Sequence, residues 1–154
     1  MIRLSRLADY AVMLMTHMAN DRREVHNAFD IAAQTGLPAP TVAKVLAVLV
    51  RGGLLVSQRG AKGGYQLARQ PSDIPVSEII VALDGPVALT SCIKAGPSTC
   101  EVEPICPSRH SLHRINETVR RALSDITLAD IAAPAPMFLP TPIPAPALAP
   151  RGNS

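Results

Sequence analysis

The sequence contains no tryptophan, only two tyrosines and two phenylalanines, so aromatic residues fill just 3% of its 154 positions. Its core must come from Ala, Val, Leu, Ile and Met, which supply most of a 47% hydrophobic fraction. There is no run of about 20 apolar residues to span a bilayer as a helix. Arg3, Arg6 and Asp9 interrupt the only early apolar stretch, so no signal peptide is expected. These absences point to a cytoplasmic protein without a membrane partner, in a compartment that keeps thiols reduced. No nucleophile, base and orienting group fall together in any motif, which argues against an enzyme. Cysteine is scarce as well: there are three, an odd number that cannot close a disulfide framework.

What is scarce is also concentrated. All three cysteines lie in CIKAGPSTCEVEPIC, as Cys92, Cys100 and Cys106, with Gly96, Pro97 and Pro104 between them. Those residues forbid a continuous helix, so the thiols sit on an irregular loop able to fold around something. The intervals are seven and five residues, whereas structural zinc favours pairs two to four apart. Iron–sulfur clusters accept looser thiolate spacings and a fourth ligand from elsewhere. Three unrelated thiols remain the plain alternative.

Charge divides the chain. Residues 1–70 carry nine Lys/Arg against four Asp/Glu, and residues 71–131 carry five against eight. A basic first half suggests a polyanionic partner, and an acidic second half a different task.

Apolar residues from Leu4 to Ala19 recur at helical spacing, predicting an amphipathic helix over 4–19. Asn27-Ala28-Phe29-Asp30 resembles a capping box and opens a short helix that stops at Gly36. A tight corner leads to Pro40, which suits the first turn of a second helix carrying Val42, Val45, Leu46, Leu49 and Val50. Two helices joined by a glycine turn form a helix-turn-helix pattern. Strand-like runs at Leu54–Val56 and Tyr65–Leu67 follow, joined by a glycine-rich basic tip with Arg59 and Lys62. That hairpin makes the pattern a winged helix, and its cations can lie along phosphates or enter a minor groove. Val76, Ile79, Ile80 and Leu83 mark another helix, ended by Asp84-Gly85-Pro86.

From Pro107 the spacing of Leu112, Ile115, Val119, Ala122 and Ile126 predicts a helix of about twenty residues with a single apolar stripe. That stripe needs cover, either from the first helix or from a second chain, and palindromic operators favour the homodimer. Seven of the fifteen prolines lie beyond Ala132, in a tract read as a disordered tail. The expected architecture is mostly α with a small β-wing. A winged helix-turn-helix domain occupies 1–84, a cysteine loop 85–106, a dimerisation helix 107–131 and a Pro/Ala-rich tail 132–154.

IRLSRLADYAV, TGLPAPTVAKVL, the wing RGAKGGYQLAR, SEIIVALDG and the three cysteines occur in this order in a known family. Over residues 1–130 the chain resembles the Rrf-type winged-helix iron–sulfur transcription regulators, the family of IscR and NsrR. CEVEPICP followed by TLADI looks most like its regulators of the SUF assembly system. The resemblance implies a cytoplasmic homodimer, probing double-stranded operator DNA, that represses iron–sulfur assembly genes. It further implies a cluster, 2Fe–2S or 4Fe–4S, held by Cys92, Cys100 and Cys106. The first cysteine interval is two residues longer than the family's usual five. One branch of the family takes a histidine three residues after the last cysteine, where this chain has Arg109, with His110 one place later. The other branch takes an acid in the first helix, contributed by the second subunit, and Asp9 stands there. For DNA, Pro40, Ala43 and Lys44 match the base-reading positions, and Arg59 and Gly60 the minor-groove contacts of the wing; Thr41 and Lys62 are added on position and charge. A nitric-oxide or redox sensor of the same fold is the near alternative, and an iron–sulfur carrier or electron-transfer module the distant one.

Overall fold

The computed structural model describes residues 3–21, 23–60, 63–93 and 100–133. Helix α1 (Arg6–Asn20) begins where the Ser5 side chain accepts the Ala8 N–H, at 3.1 Å. Ala8, Ala11, Leu14, Met15 and Met18 form its buried face, the three- and four-residue spacing that a helix stripe requires. Helix α2 (Ala28–Thr35) is capped by Asn27, whose side chain accepts the Phe29 N–H at 2.8 Å. The reciprocal half of the expected capping box is not made there, because the Asp30 carboxylate turns to Arg23, 3.3 Å away. Gly36 ends α2 with φ 72°, a left-handed conformation that a β-carbon would strain.

Helix α3 (Ala39–Arg51) has Pro40 in its first turn, where the missing N–H leaves no bond unmade. It buries Val42, Val45, Leu46 and Leu49 against α1, α2 and α4. Strands β1 (Leu55–Gln58) and β2 (Gly64–Leu67) then pair antiparallel, with Leu55 opposite Leu67 and Gln58 opposite Gly64. Helix α4 (Val76–Asp84) places Val76, Ile79 and Ile80 inward and packs across both α1 and α3. Leu14, Met15, Leu46, Leu49, Ile74 and Ile79 are fully buried together, so the aliphatic core expected from composition is formed.

The helix predicted over 107–131 is two helices. Helix α5 (Arg109–Ser124) stops, and α6 (Leu128–Ala132) starts afresh after Thr127. Thr127 and Asp130 make the reciprocal capping box missing from α2: the Thr127 Oγ1 accepts the Asp130 N–H at 3.2 Å, and the Asp130 carboxylate accepts the Thr127 N–H at 2.8 Å. The Thr127 hydroxyl, which donates to the same carboxylate at 2.7 Å, and the Thr127 N–H together hold the Asp130 carboxyl below its ordinary range. Helix α6 then turns back onto α1 and buries Leu128 completely in the winged-helix core. A two-bond clasp fixes the turn, with Val76 N–H donating to Ile126 C=O at 2.9 Å and Leu128 N–H to Ile74 C=O at 2.8 Å. Ile126, expected on the apolar stripe, therefore lies in the linker between the helices. Ala132 belongs to α6 and Ala133 caps it, rather than starting the tail, and positions 134–154 lie outside the described residues.

Candidate nucleic-acid interface and cysteine loop

The glycine turn swings α3 out so that one of its faces is free. Pro40, Ala43 and Lys44 are exposed on that face and Thr41 is half-buried beside them. Lys44 has no ion-pair partner among the described residues, so its charge is available to a phosphate or a guanine edge. Arg59 at the wing tip is likewise exposed and unpaired among those residues, and Gly60 beside it has φ 116°. Lys62, the other cation expected at the tip, lies outside the described residues.

The wing is tied down at its base by a residue the sequence did not advertise. His26 and Tyr65 exchange both backbone bonds at 2.8 Å, which fastens β2 to the segment before α2. A β-carbon on Gly64 would stand 2.5 Å from the His26 carbonyl oxygen, so only glycine permits that approach. The His26 ring is 2% exposed and its Nδ1 has no hydrogen-bond partner among the described residues. Burial pushes its pKa below the ordinary 6.5, although the Asp21 carboxylate 3.8 Å from Nδ1 opposes that shift. Asp21 is itself held down to about 2 by hydrogen bonds from Arg23, the nearer at 2.7 Å. After β2, Arg69 is engaged by Glu78 and by the Asp73 carbonyl, which removes it from the pool of DNA-facing cations.

The cysteines flank residues 94–99, which are outside the described set. Cys92 lies in a 3-10 turn (Ser91–Ile93) packed on α5, with its sulfur 3.1 Å from the Thr90 hydroxyl. Cys106 ends a second 3-10 turn (Glu103–Ile105), and its carbonyl accepts the Arg109 N–H at 3.3 Å as α5 begins. Cys92, Cys100 and Cys106 are all half-buried, and neither Cys92 nor Cys106 is in a disulfide. Arg109 reaches back 3.0 Å to Glu103, so the position where a histidine ligand was sought holds an ion pair instead. Asp9 is exposed in the first turn of α1 and makes no ion pair with Arg6 or any other described residue. Among the described residues no three Cys, His, Asp or Glu side chains converge on one point. The structure therefore does not gather Asp9 and the three cysteines within one chain.

Sequence reading also passed over Asn116. It is the only buried residue of α5, 4% exposed, in the middle of a helix whose apolar stripe is uncovered. Its Oδ1 accepts the Leu89 N–H at 3.1 Å and its Nδ2 donates to the Val87 carbonyl at 3.2 Å. A polar residue beside Ile115 was the available signal, masked by its adjoining the stripe.

A helix-turn-helix with a free outer face, a fastened wing and a cysteine-bearing appendage is matched over residues 4–134 by the Rrf2 family, described as iron-dependent transcriptional regulators. The chain belongs to the Rrf2 family. As an Rrf2 protein it is a DNA-binding transcriptional regulator, and its relatives are regulators rather than enzymes. It is 29% identical over 131 residues to the HTH-type transcriptional regulator NsrR of Geobacillus kaustophilus, covering 84% of this chain and 89% of that one. Among solved structures it superposes on CymR, described as the global cysteine regulator of B. subtilis, with a TM-score of 0.68 at 27% identity, over 86% of this chain and 97% of that one. T. potens IscR is similar at a TM-score of 0.63 and 30% identity, over 84% of this chain and 85% of that one. No described helix is long and apolar enough to cross a bilayer.

Proposed function

We propose that this Rrf2 protein is an iron–sulfur-responsive repressor that binds double-stranded operator DNA as a homodimer and controls genes of iron–sulfur cluster assembly. The observation that carries the reading is the placement of three half-buried cysteines on a segment fixed to α5, the helix that packs on α4 of the winged-helix body. The donor set fits the group: soft thiol ligands on a proline-interrupted loop suit an iron–sulfur cluster better than calcium or magnesium. Cys92, Cys100 and Cys106 would hold it, with Asp9 of the second protomer as the proposed fourth ligand. When bound, the cluster supplies a redox-sensitive and nitric-oxide-sensitive centre.

The chain's own residues then link that segment to DNA. Asn116 joins it to α5, and α5 meets α4 through packing and the Ser77–Ser124 hydroxyl pair at 3.0 Å. Helix α4 rests on α3, so ordering at the cysteines reaches the face bearing Thr41 and Lys44 through contiguous packing. Arg59, Gly60 and Lys62 add the wing contact. Ile115 is 51% exposed and Leu112 and Val119 are half-buried, which leaves the stripe on α5 open for its equivalent in a second chain.

Anaerobic reconstitution with iron and sulfide, followed by Mössbauer spectra and DNA selection with loaded and metal-free protein, tests the reading. The expected result is an iron-bearing dimer whose operator affinity changes when iron is removed. Stoichiometric zinc without iron, or equal affinity of the two forms, would refute it. Asp9, without an ion pair among the described residues, and the likeness to a protein named NsrR favour one second reading, a nitric-oxide sensor. It is separated by whether nitric oxide releases DNA at concentrations where oxygen and iron limitation do not.

A further inference from the structure

Helices rarely bury an amide where an aliphatic side chain would pack, because a buried amide must find both its donors and its acceptor a partner. Asn116 finds them in Val87 and Leu89, and neither residue lies in a helix or strand that could satisfy its backbone otherwise. The clip is thus a substitute for secondary structure at one place, three residues before Cys92. From Leu89 the chain passes to Thr90, whose hydroxyl stands 3.1 Å from the Cys92 sulfur. At the N-terminal end of the same helix, Cys106 enters α5 directly, its turn braced by Glu103 and Arg109 at 3.0 Å. Asn116 lies seven positions along α5 from Arg109, about 10 Å of helix.

We propose that Asn116 is the positioning residue of the first cysteine: its carboxamide clips Val87 and Leu89 to α5, so that Cys92 and Cys106 are referred to one rigid helix. Thr90 extends the clip to the sulfur itself. The inference rests on the cluster reading for its purpose, but the clip is testable without any metal. Because no described residue of the segment buries an apolar side chain, loss of the two bonds frees Cys92 while the winged-helix core stays intact.

The metal-free protein is treated with limiting iodoacetamide, and the rate at each cysteine is read by mass spectrometry. Asn116→Ala is expected to raise the Cys92 rate about tenfold relative to Cys106, the order expected for losing two modest hydrogen bonds. Asn116→Asp, which keeps the acceptor for Leu89 N–H and loses the donor to Val87, should fall between. Leu89→Pro removes the same bond from the loop side without touching α5, and so tests the clip even if α5 variants fold poorly. In the reconstituted protein, Thr90→Val should move the reduction potential to more negative values and Thr90→Ser should restore it, since a hydroxyl donating to a sulfur ligand favours the reduced form. Equal acceleration at Cys92 and Cys106, or no acceleration in both Asn116→Ala and Leu89→Pro, overturns the proposal. A parent protein that takes up no iron refutes the cluster reading alone, because the alkylation measurement stands apart from it.

Discussion

The winged-helix body and the cysteine segment are held by opposite means. The body buries Leu14, Leu46, Leu49, Ile79 and Leu128 completely, and each such side chain contributes roughly 1.5–3 kcal/mol by leaving water. Between 85 and 106 no described side chain is buried, and Val102 and Ile105 are 56% and 81% exposed. Among the described residues the side-chain contacts that tie that segment down include Asn116 with Val87 and Leu89, Thr90 with Cys92, and Arg109 with Glu103. The difference teaches where a response can arise. A part held by hydrophobic burial opens only with the whole fold, whereas a part held by a few hydrogen bonds opens alone.

The largest effect should come from the body. Leu49→Ala is expected to cost about 2–5 kcal/mol in chemical denaturation, and Ile105→Ala almost nothing. A comparable loss from Ile105→Ala would mean that the segment shares the core. Next, Ile115→Glu should convert dimers to monomers in sedimentation and weaken operator binding by about a hundredfold, as expected when two half-site contacts are uncoupled. An unchanged sedimentation coefficient would move the dimer contact elsewhere. Thr127→Ala, which removes the side-chain cap of α6, should cost about 1 kcal/mol of unfolding free energy. That places the C-terminal turn with the body, whereas no measurable cost would place it with the segment.

The smallest effect concerns pH. Burial holds His26 below 6.5, so the unfolded chain takes up the proton first and stability declines as pH falls below that value. Asp21, held at about 2 against an ordinary 3.8, begins to withdraw its contribution only below 3.8. Melting temperature should therefore drop modestly between about pH 7 and about pH 5.5, and His26→Gln should flatten that interval. A slope that survives in His26→Gln would assign it to another group.

How much of this was legible follows from which forces write themselves into sequence. Periodicity recorded the core: the spacing from Leu7 to Met18 and from Val42 to Leu49 gave α1 and α3 with their inward faces. Gly36 and Pro40 marked the turn because each suits one backbone conformation. Capping was legible only as a pattern. Asn27-x-x-Asp30 and Thr127-x-x-Asp130 look alike, yet Arg23 diverts Asp30 while nothing diverts Asp130. The break after Ser124 was hidden for the same reason, since Ile126 continues the apolar spacing and only the cap interrupts it. His26 and Asn116 left no signal in spacing at all. Their roles depend on Tyr65 and Leu89, far away in the chain, and partner choice over such distances is a property of the folded molecule. The cysteine triplet was evident from composition, but the arrangement of its thiols was not.

The clasp between Ile74–Val76 and Ile126–Leu128 has a mechanical consequence. It pins the C-terminal end of α5 to the body, while among the described residues the N-terminal end continues through Cys106 into the cysteine segment. A rod fastened at one end tilts and does not slide. Over the 16 residues of α5 the lever arm is about 24 Å, so a tilt of about 5° carries its free end about 2 Å while the pinned end scarcely moves. Leu112 and Ile115 travel further than Val119 in such a swing, so the two arms of a dimer would scissor about their clasped ends and open most widely beside the cysteines.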